Sequence, residues 1–195
     1  MFSLRIYFEE PIIILCTLIG ISLILILRYK YKKSTIHLLF TSLFYIYICM
    51  LIKYTQFPIT FLPDIMSKQS LEDVINIVPF INFMRSLTNY LLNILMTIPF
   101  GFLLPLIKKC NLKTIFLWSL ILPIMLEGLQ LLFALLTKYT ERIVDINDAI
   151  MNGFGVLIGF IFYKVVRSLV KKILKNDKEK INPLIEYFIG SSTSK

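Results

Sequence analysis

"IFLWSLILPIMLEGLQLLFALL", Ile115–Leu136, decides the fold. Its 22 residues carry a single charge, Glu127. At ~1.5 Å of rise per residue, a helix of that length spans a ~30 Å hydrocarbon core. Four further runs have the same character: Pro11–Leu27, Thr35–Ile52, Tyr90–Ile107 and Ala149–Val166. Composition agrees, with 57% of the 195 residues hydrophobic and only 17% charged, where soluble domains sit near ~45–50% and ~25%. Mean hydropathy is +0.76. A soluble bundle is excluded on these grounds. The runs are rich in Ile, Leu and Phe with embedded Gly and Pro, and lack the period-two alternation of a membrane barrel. The expected fold is an all-α integral membrane protein, one domain over 1–195 with five transmembrane helices.

Lys and Arg set the expected orientation, because cytoplasmic loops retain them. With the C-terminus inside, "RYKYKK" (Arg28–Lys33), "KKCNLK" (Lys108–Lys113) and everything from Lys164 onward place fifteen of the 21 basic residues in the cytoplasm. The topology is therefore N-out, C-in. The first run is expected to be retained rather than cleaved as a signal peptide. Glu9 and Glu10 stand at its mouth and no small-residue cleavage site follows it. The net charge of +9 follows from the same asymmetry and suits an anionic inner leaflet. No nucleic-acid partner is called for. Cys16 and Cys49 lie inside runs and Cys110 in a loop, so no pair is expected to form a disulfide.

Between the second and third runs, residues 57–89 are apolar yet broken by Pro58, Pro63 and Pro79. This outer segment is expected to lie in the interface or fold back over the bundle. The basic tail, 167–195, is expected to continue the last helix onto anionic headgroups and to end in frayed Ser, Thr and Lys residues, with no role beyond anchoring. His37, the lone histidine, is expected to pack at the inner end of span two.

Polar groups inside spans are costly and face protein or water. Glu127 and Gln130 share one face of span four. Pro123, four residues before Glu127, loosens the helix there. After a short link comes "TERIVDINDAIMNGFGVLIG" (Thr140–Gly159), where Arg142, Asp145, Asp148 and Asn152 recur at steps of three, three and four. On a helix these four fall within an arc of about 120°. N-capping accounts for Asp145 and, less well, Asp148. It does not account for Asn152 or Glu127. Gly155 and Gly159 form a small-xxx-small pair suited to close packing against span three or four. Span three carries Asn93 and the break "IPFG", with Pro99, Phe100 and Gly101; cavity edge and plain packing kink both fit it.

Together these positions resemble the VanZ-like family of bacterial membrane proteins. The pattern is an Asn before a Pro-Phe-Gly span (Asn93, Pro99, Phe100, Gly101), Glu-x-x-Gln in the next (Glu127, Gln130), and Arg142, Asp145, Asp148, Asn152, Gly155 and Gly159 at the last. "INIVPF", with Asn76 and Pro79, matches the segment ahead of span three. The resemblance covers about 36–166. It implies the bacterial cytoplasmic membrane and a link to teicoplanin-type glycopeptide susceptibility, and it leaves the chemistry open.

Three readings follow. In the first, the chain is a non-enzymatic binder at the outer leaflet, without a cofactor. Glu127, Gln130, Arg142, Asp145, Asp148, Asn152 and Asn93 would form an outward-facing polar site for a membrane lipid, a lipid-linked cell-wall precursor or a glycopeptide. In the second, it is an intramembrane enzyme on a lipid-linked intermediate, with a divalent metal held by the carboxylates. No nucleophile is paired with a base and no Cys/His cluster has metal spacing, which weighs against it. In the third, Glu127 and Arg142 only lock a structural subunit into a complex. Oligomeric state is not legible.

Overall fold

The computed structural model describes residues 4–61, 70, 74–80, 83–140, 142–176 and 182–190. Among them are six helices: α1 (Glu10–Tyr29), α2 (Thr35–Gln56), α3 (Phe83–Ile107), α4 (Leu112–Thr137), α5 (Ile146–Asn176) and α6 (Pro183–Gly190). The first five are long and apolar enough to cross a membrane. The chain is an all-α, multi-pass membrane protein.

Helix ends follow local chemistry. Pro11 starts α1 in the first turn, where its missing N–H costs nothing. Ser34 and Asn111 cap α2 and α4 by accepting from the N–H of His37 (3.3 Å) and Thr114 (2.8 Å). Lys138 closes α4 in the left-handed region. The helices extend beyond the apolar runs: α3 begins at Phe83, seven residues before Tyr90, and α5 continues past Val166 to Asn176, as expected for the basic stretch that follows the last run. Hydropathy marks where a helix is oily, whereas the backbone ladder runs on through polar residues.

Two short strand pairs close the end of the bundle where α2 and α4 finish. β1 (Leu4–Ile6) pairs antiparallel with β2 (Ile59–Phe61), and β3 (Ile75–Asn76) pairs parallel with β4 (Val144–Asp145). Part of the 57–89 segment thus folds back onto the bundle. Pro63 lies outside the described residues, as do the terminal residues 191–195.

The core is built around α3 and α5, which run parallel and touch through backbone. A Cβ on Gly155 would overlap the Ile94 carbonyl and the Thr97 hydroxyl; one on Gly159 would overlap the Ile98 carbonyl; one on Gly101 would overlap the Val156 carbonyl. Thr97, fully buried, donates across this seam to the Asn152 carbonyl at 2.8 Å. The "IPFG" break is therefore a packing device. Phe100 fills the core against Phe44 and Trp118. α4 joins by the same means. Pro123 leaves the Ser119 carbonyl without its usual helical donor, and Gly153 lies so close that a Cβ would sit 2.7 Å from that oxygen.

α1 buries no residue and leans chiefly on α2, where Gly20 admits the Tyr45 ring and the Tyr45 hydroxyl donates to the Cys16 carbonyl at 2.7 Å. The Cys49 thiol lies in hydrogen-bonding contact with Cys16. No disulfide was expected, and the proximity of these two cysteines was not foreseen. In an antiparallel hairpin, residues equidistant from the turn meet, and 16 with 49 obeys the same sum as 20 with 45. Both thiols are free. Cys110 is buried in the α3–α4 turn, which pushes its thiol pKa up.

The tail does more than lie on headgroups. α6 returns to the bundle, stacking Tyr187 on Phe40 and Phe188 edge-on to Tyr163. Arg167 Nε donates to the Ile189 carbonyl at 2.9 Å. The Tyr187 hydroxyl donates to the Leu106 carbonyl at 2.8 Å, so its proton is spent. The His37 Nδ1, also at 2.8 Å, therefore supplies a proton to it and is the protonated nitrogen. His37 packs at the basic end of α2, in line with its expected role.

Candidate functional site

At the end of the bundle opposite the lysine-rich loops, α2, α3, α4 and α5 diverge around a cavity of about 610 Å³. That is within the ~300–1,000 Å³ range of small-molecule sites. α4 supplies Glu127 and Gln130, α5 supplies Asp148 and Asn152, α3 supplies Asn93, and Arg142 reaches in from the link before β4. Six of the seven polar residues singled out in the sequence line this one space. Asp145 does not.

Asp145 instead holds the wall in position. Its backbone N–H donates to Glu127 Oε2 at 3.1 Å, fixing one oxygen of a carboxylate that is only 8% exposed. Its own Oδ1 accepts from both the N–H and the side-chain amide of Asn147, each at 2.8 Å. Asn147 in turn accepts from the Phe80 N–H at 2.8 Å. A continuous set of bonds thus runs from the β3 segment through the start of α5 to Glu127. Parallel pairing of Asn76 with Asp145 fixes its register.

The other polar groups are held less completely. The Asn93 side chain hydrogen-bonds the Asp148 carboxylate. Gln130 spends an amide proton on the Thr55 carbonyl at 3.2 Å, and Arg142 spends one guanidinium N–H on the Phe57 carbonyl at 3.2 Å. Asn152 is 1% exposed and its Oδ1 has no partner. A neighbouring recess of about 260 Å³ shares Gln130 and Arg142 with the main cavity and adds Gln56 and Thr60. Gln56 Nε2 is committed to the Leu126 carbonyl (3.2 Å) and the Thr55 hydroxyl (3.1 Å), which leaves its Oε1 orphaned as well.

The inventory is lopsided. Two carboxylates and two buried amide oxygens without partners accept hydrogen bonds, while several available donors are already committed to backbone carbonyls. Arg142 is exposed and retains most of its five N–H groups. Such a surface suits a ligand that brings its own donors and carries an anionic group near Arg142. For the metal-dependent alternative the fit is poor: among the described residues, no three His, Cys, Asp or Glu converge on a point where an ion would sit.

The helix-break residues Pro99, Phe100 and Gly101 do not line the cavity, and Gly155 and Gly159 act from behind it by holding α5 against α3. Several residues of the site went unnoticed in the sequence. Asn89 sits one helical turn before Asn93 and shares its face, a signal that was present. Thr55 and Gln56 close span two, where polarity reads as an ordinary helix end. Asn147 carried no signal, since its importance comes from the β3–β4 pairing.

The model of one protein family, VanZ/LLP1, matches residues 44–167. No curated protein and no solved structure matches the chain.

Proposed function

The chain belongs to the VanZ/LLP1 family, and from that premise we propose that it is a non-enzymatic binder at the outer leaflet of the bacterial cytoplasmic membrane. It engages a component of the cell envelope and thereby lowers susceptibility to teicoplanin-type glycopeptides. The observation that carries this reading is the convergence of Glu127, Gln130, Arg142, Asp148, Asn152 and Asn93 on one cavity at one end of an otherwise apolar bundle. Carboxylates kept inside a membrane protein at a cost of several kcal/mol need a purpose, and a donor-bearing ligand supplies it. The excess of Lys and Arg at the opposite end supports an outward-facing cavity. Arg142 offers a fork of donors to a phosphate or carboxylate, and the acid and amide groups receive amines or hydroxyls.

Two measurements on cells with matched protein levels test this. Arg142→Ala and Asp148→Asn are each expected to change the amount of teicoplanin bound by the cells, and to restore susceptibility by at least several-fold. Unchanged values in both assays for both variants overturn the proposal.

A further inference from the structure

The cavity is not sealed on its flank. Beside its polar residues it is lined by Tyr54 of α2 and by Leu92 and Leu95 of α3. These three side chains are 63%, 59% and 65% exposed on the outside of the bundle. A residue that both lines a cavity and faces outward marks an opening. This opening lies between two membrane-spanning helices, where the outside is hydrocarbon.

The bonding of α2 explains the gap. Near mid-span α2 is tied to α3, with the Tyr47 hydroxyl donating to the Met96 carbonyl at 3.0 Å. Beyond that point its polar bonds go to α4: Gln56 to the Leu126 carbonyl and Gln130 to the Thr55 carbonyl. The end of α2 is thereby drawn toward α4 and away from α3. The buried Leu126 of α4 also lines the cavity, and the exposed side chains at its flank are Tyr54 on one helix and Leu92 and Leu95 on the other.

We propose that this gap is a lateral portal and that the ligand is a membrane lipid with an amine-bearing phosphate headgroup. This rests on the binder reading above and adds the ligand's class and its route. The ammonium is received by Glu127 and Asp148, the two carboxylates of the cavity. The phosphate meets Arg142, exposed at the cavity's outer mouth. The orphaned Asn152 Oδ1 marks the innermost acceptor. The acyl chains never enter the bundle: they leave between Tyr54 and Leu92/Leu95 and stay in the bilayer. The headgroup gains desolvated charge-assisted hydrogen bonds, and the chains give up no hydrocarbon contact.

The test is native mass spectrometry of the full chain in detergent, with two-chain phosphatidylethanolamine, phosphatidylglycerol and water-soluble glycerophosphoethanolamine as probes. The wild type is expected to retain one phosphatidylethanolamine and to bind phosphatidylglycerol and the chainless headgroup at least tenfold more weakly. Leu95→Trp, which fills the portal, is expected to lose the two-chain lipid at least tenfold while still binding the chainless headgroup; Asp148→Asn weakens both. Labelling of the wild type keeps the portal testable should Leu95→Trp fold poorly. A phosphatidylethanolamine bearing a photoreactive group on its acyl chain is expected to mark residues 92–96 or Tyr54.

If Asp148→Asn leaves every probe unaffected, the binding site itself is wrong. If Asp148→Asn abolishes binding while Leu95→Trp does not, and the photoprobe marks other helices, the lateral portal falls and the site stands. Equal binding of phosphatidylglycerol removes the amine from the proposal.

Discussion

At the scale of single residues, glycine and carboxylate do opposite jobs on α5, and both depend on where the neighbouring helix runs. Gly155 faces the carbonyl of Ile94 and the hydroxyl of Thr97 with no room for a Cβ. A Cβ at Gly128, one residue after Glu127, would meet no neighbouring group within 4 Å. Gly155→Val is therefore expected to lower stability by at least the ~1–3 kcal/mol typical of overpacking. Gly128→Ala should be neutral or gain up to ~1 kcal/mol from helix propensity. Thermal midpoints in one detergent compare the two; equal losses would contradict the close α3–α5 seam. The small-xxx-small spacing of Gly155 and Gly159 was legible, as was the shared face of Glu127 and Gln130. The division between Asp148 and Asp145 was not. The sequence spacing puts both, with Arg142, on one helical stripe, but the helix begins only at Ile146: Arg142 lies in the link, and Asp145 lies in β4, whose pairing with β3 turns it aside to hold Glu127.

At the scale of elements, hydropathy located all five spans, because burial in hydrocarbon demands long apolar runs whatever the tertiary fold. It did not show how far α3 extends ahead of its apolar run, since that helix continues through polar residues back to Phe83. It also said nothing about partners. The contact of Cys16 with Cys49 and the seating of Tyr45 on Gly20 follow from the antiparallel α1–α2 hairpin, and become visible once the turn is placed. This register is open to test. In a Cys110→Ser background, mild oxidation in detergent is expected to link Cys16 to Cys49 within one chain and to shift its mobility without reductant. Absence of that intramolecular species, with both thiols still reactive, would contradict the hairpin. The return of α6 onto His37 and Phe40 was hidden for a different reason: a short, mostly apolar helix after a basic stretch looks alike whether it touches lipid or protein.

At the scale of the whole molecule, the two ends of the bundle are chemically unlike. One carries the lysine-rich turns and the docked α6, a surface suited to anionic headgroups. The other carries two small strand pairs, a polar cavity and a gap toward hydrocarbon between α2 and α3. The rigid part, α3 with α4 and α5, is locked by backbone contacts, so the cavity's acidic wall has fixed geometry. α2 is held more by a few side-chain bonds, which suits the flank through which a lipid passes. The claim on which all of this depends is that the cavity opens to the cell exterior. Asp148→Cys in an otherwise cysteine-free chain, treated on intact cells with a membrane-impermeant thiol reagent, tests it most directly. The account predicts labelling from outside before any permeabilisation, with Lys109→Cys at the opposite end labelled only afterwards; the reverse order would contradict it.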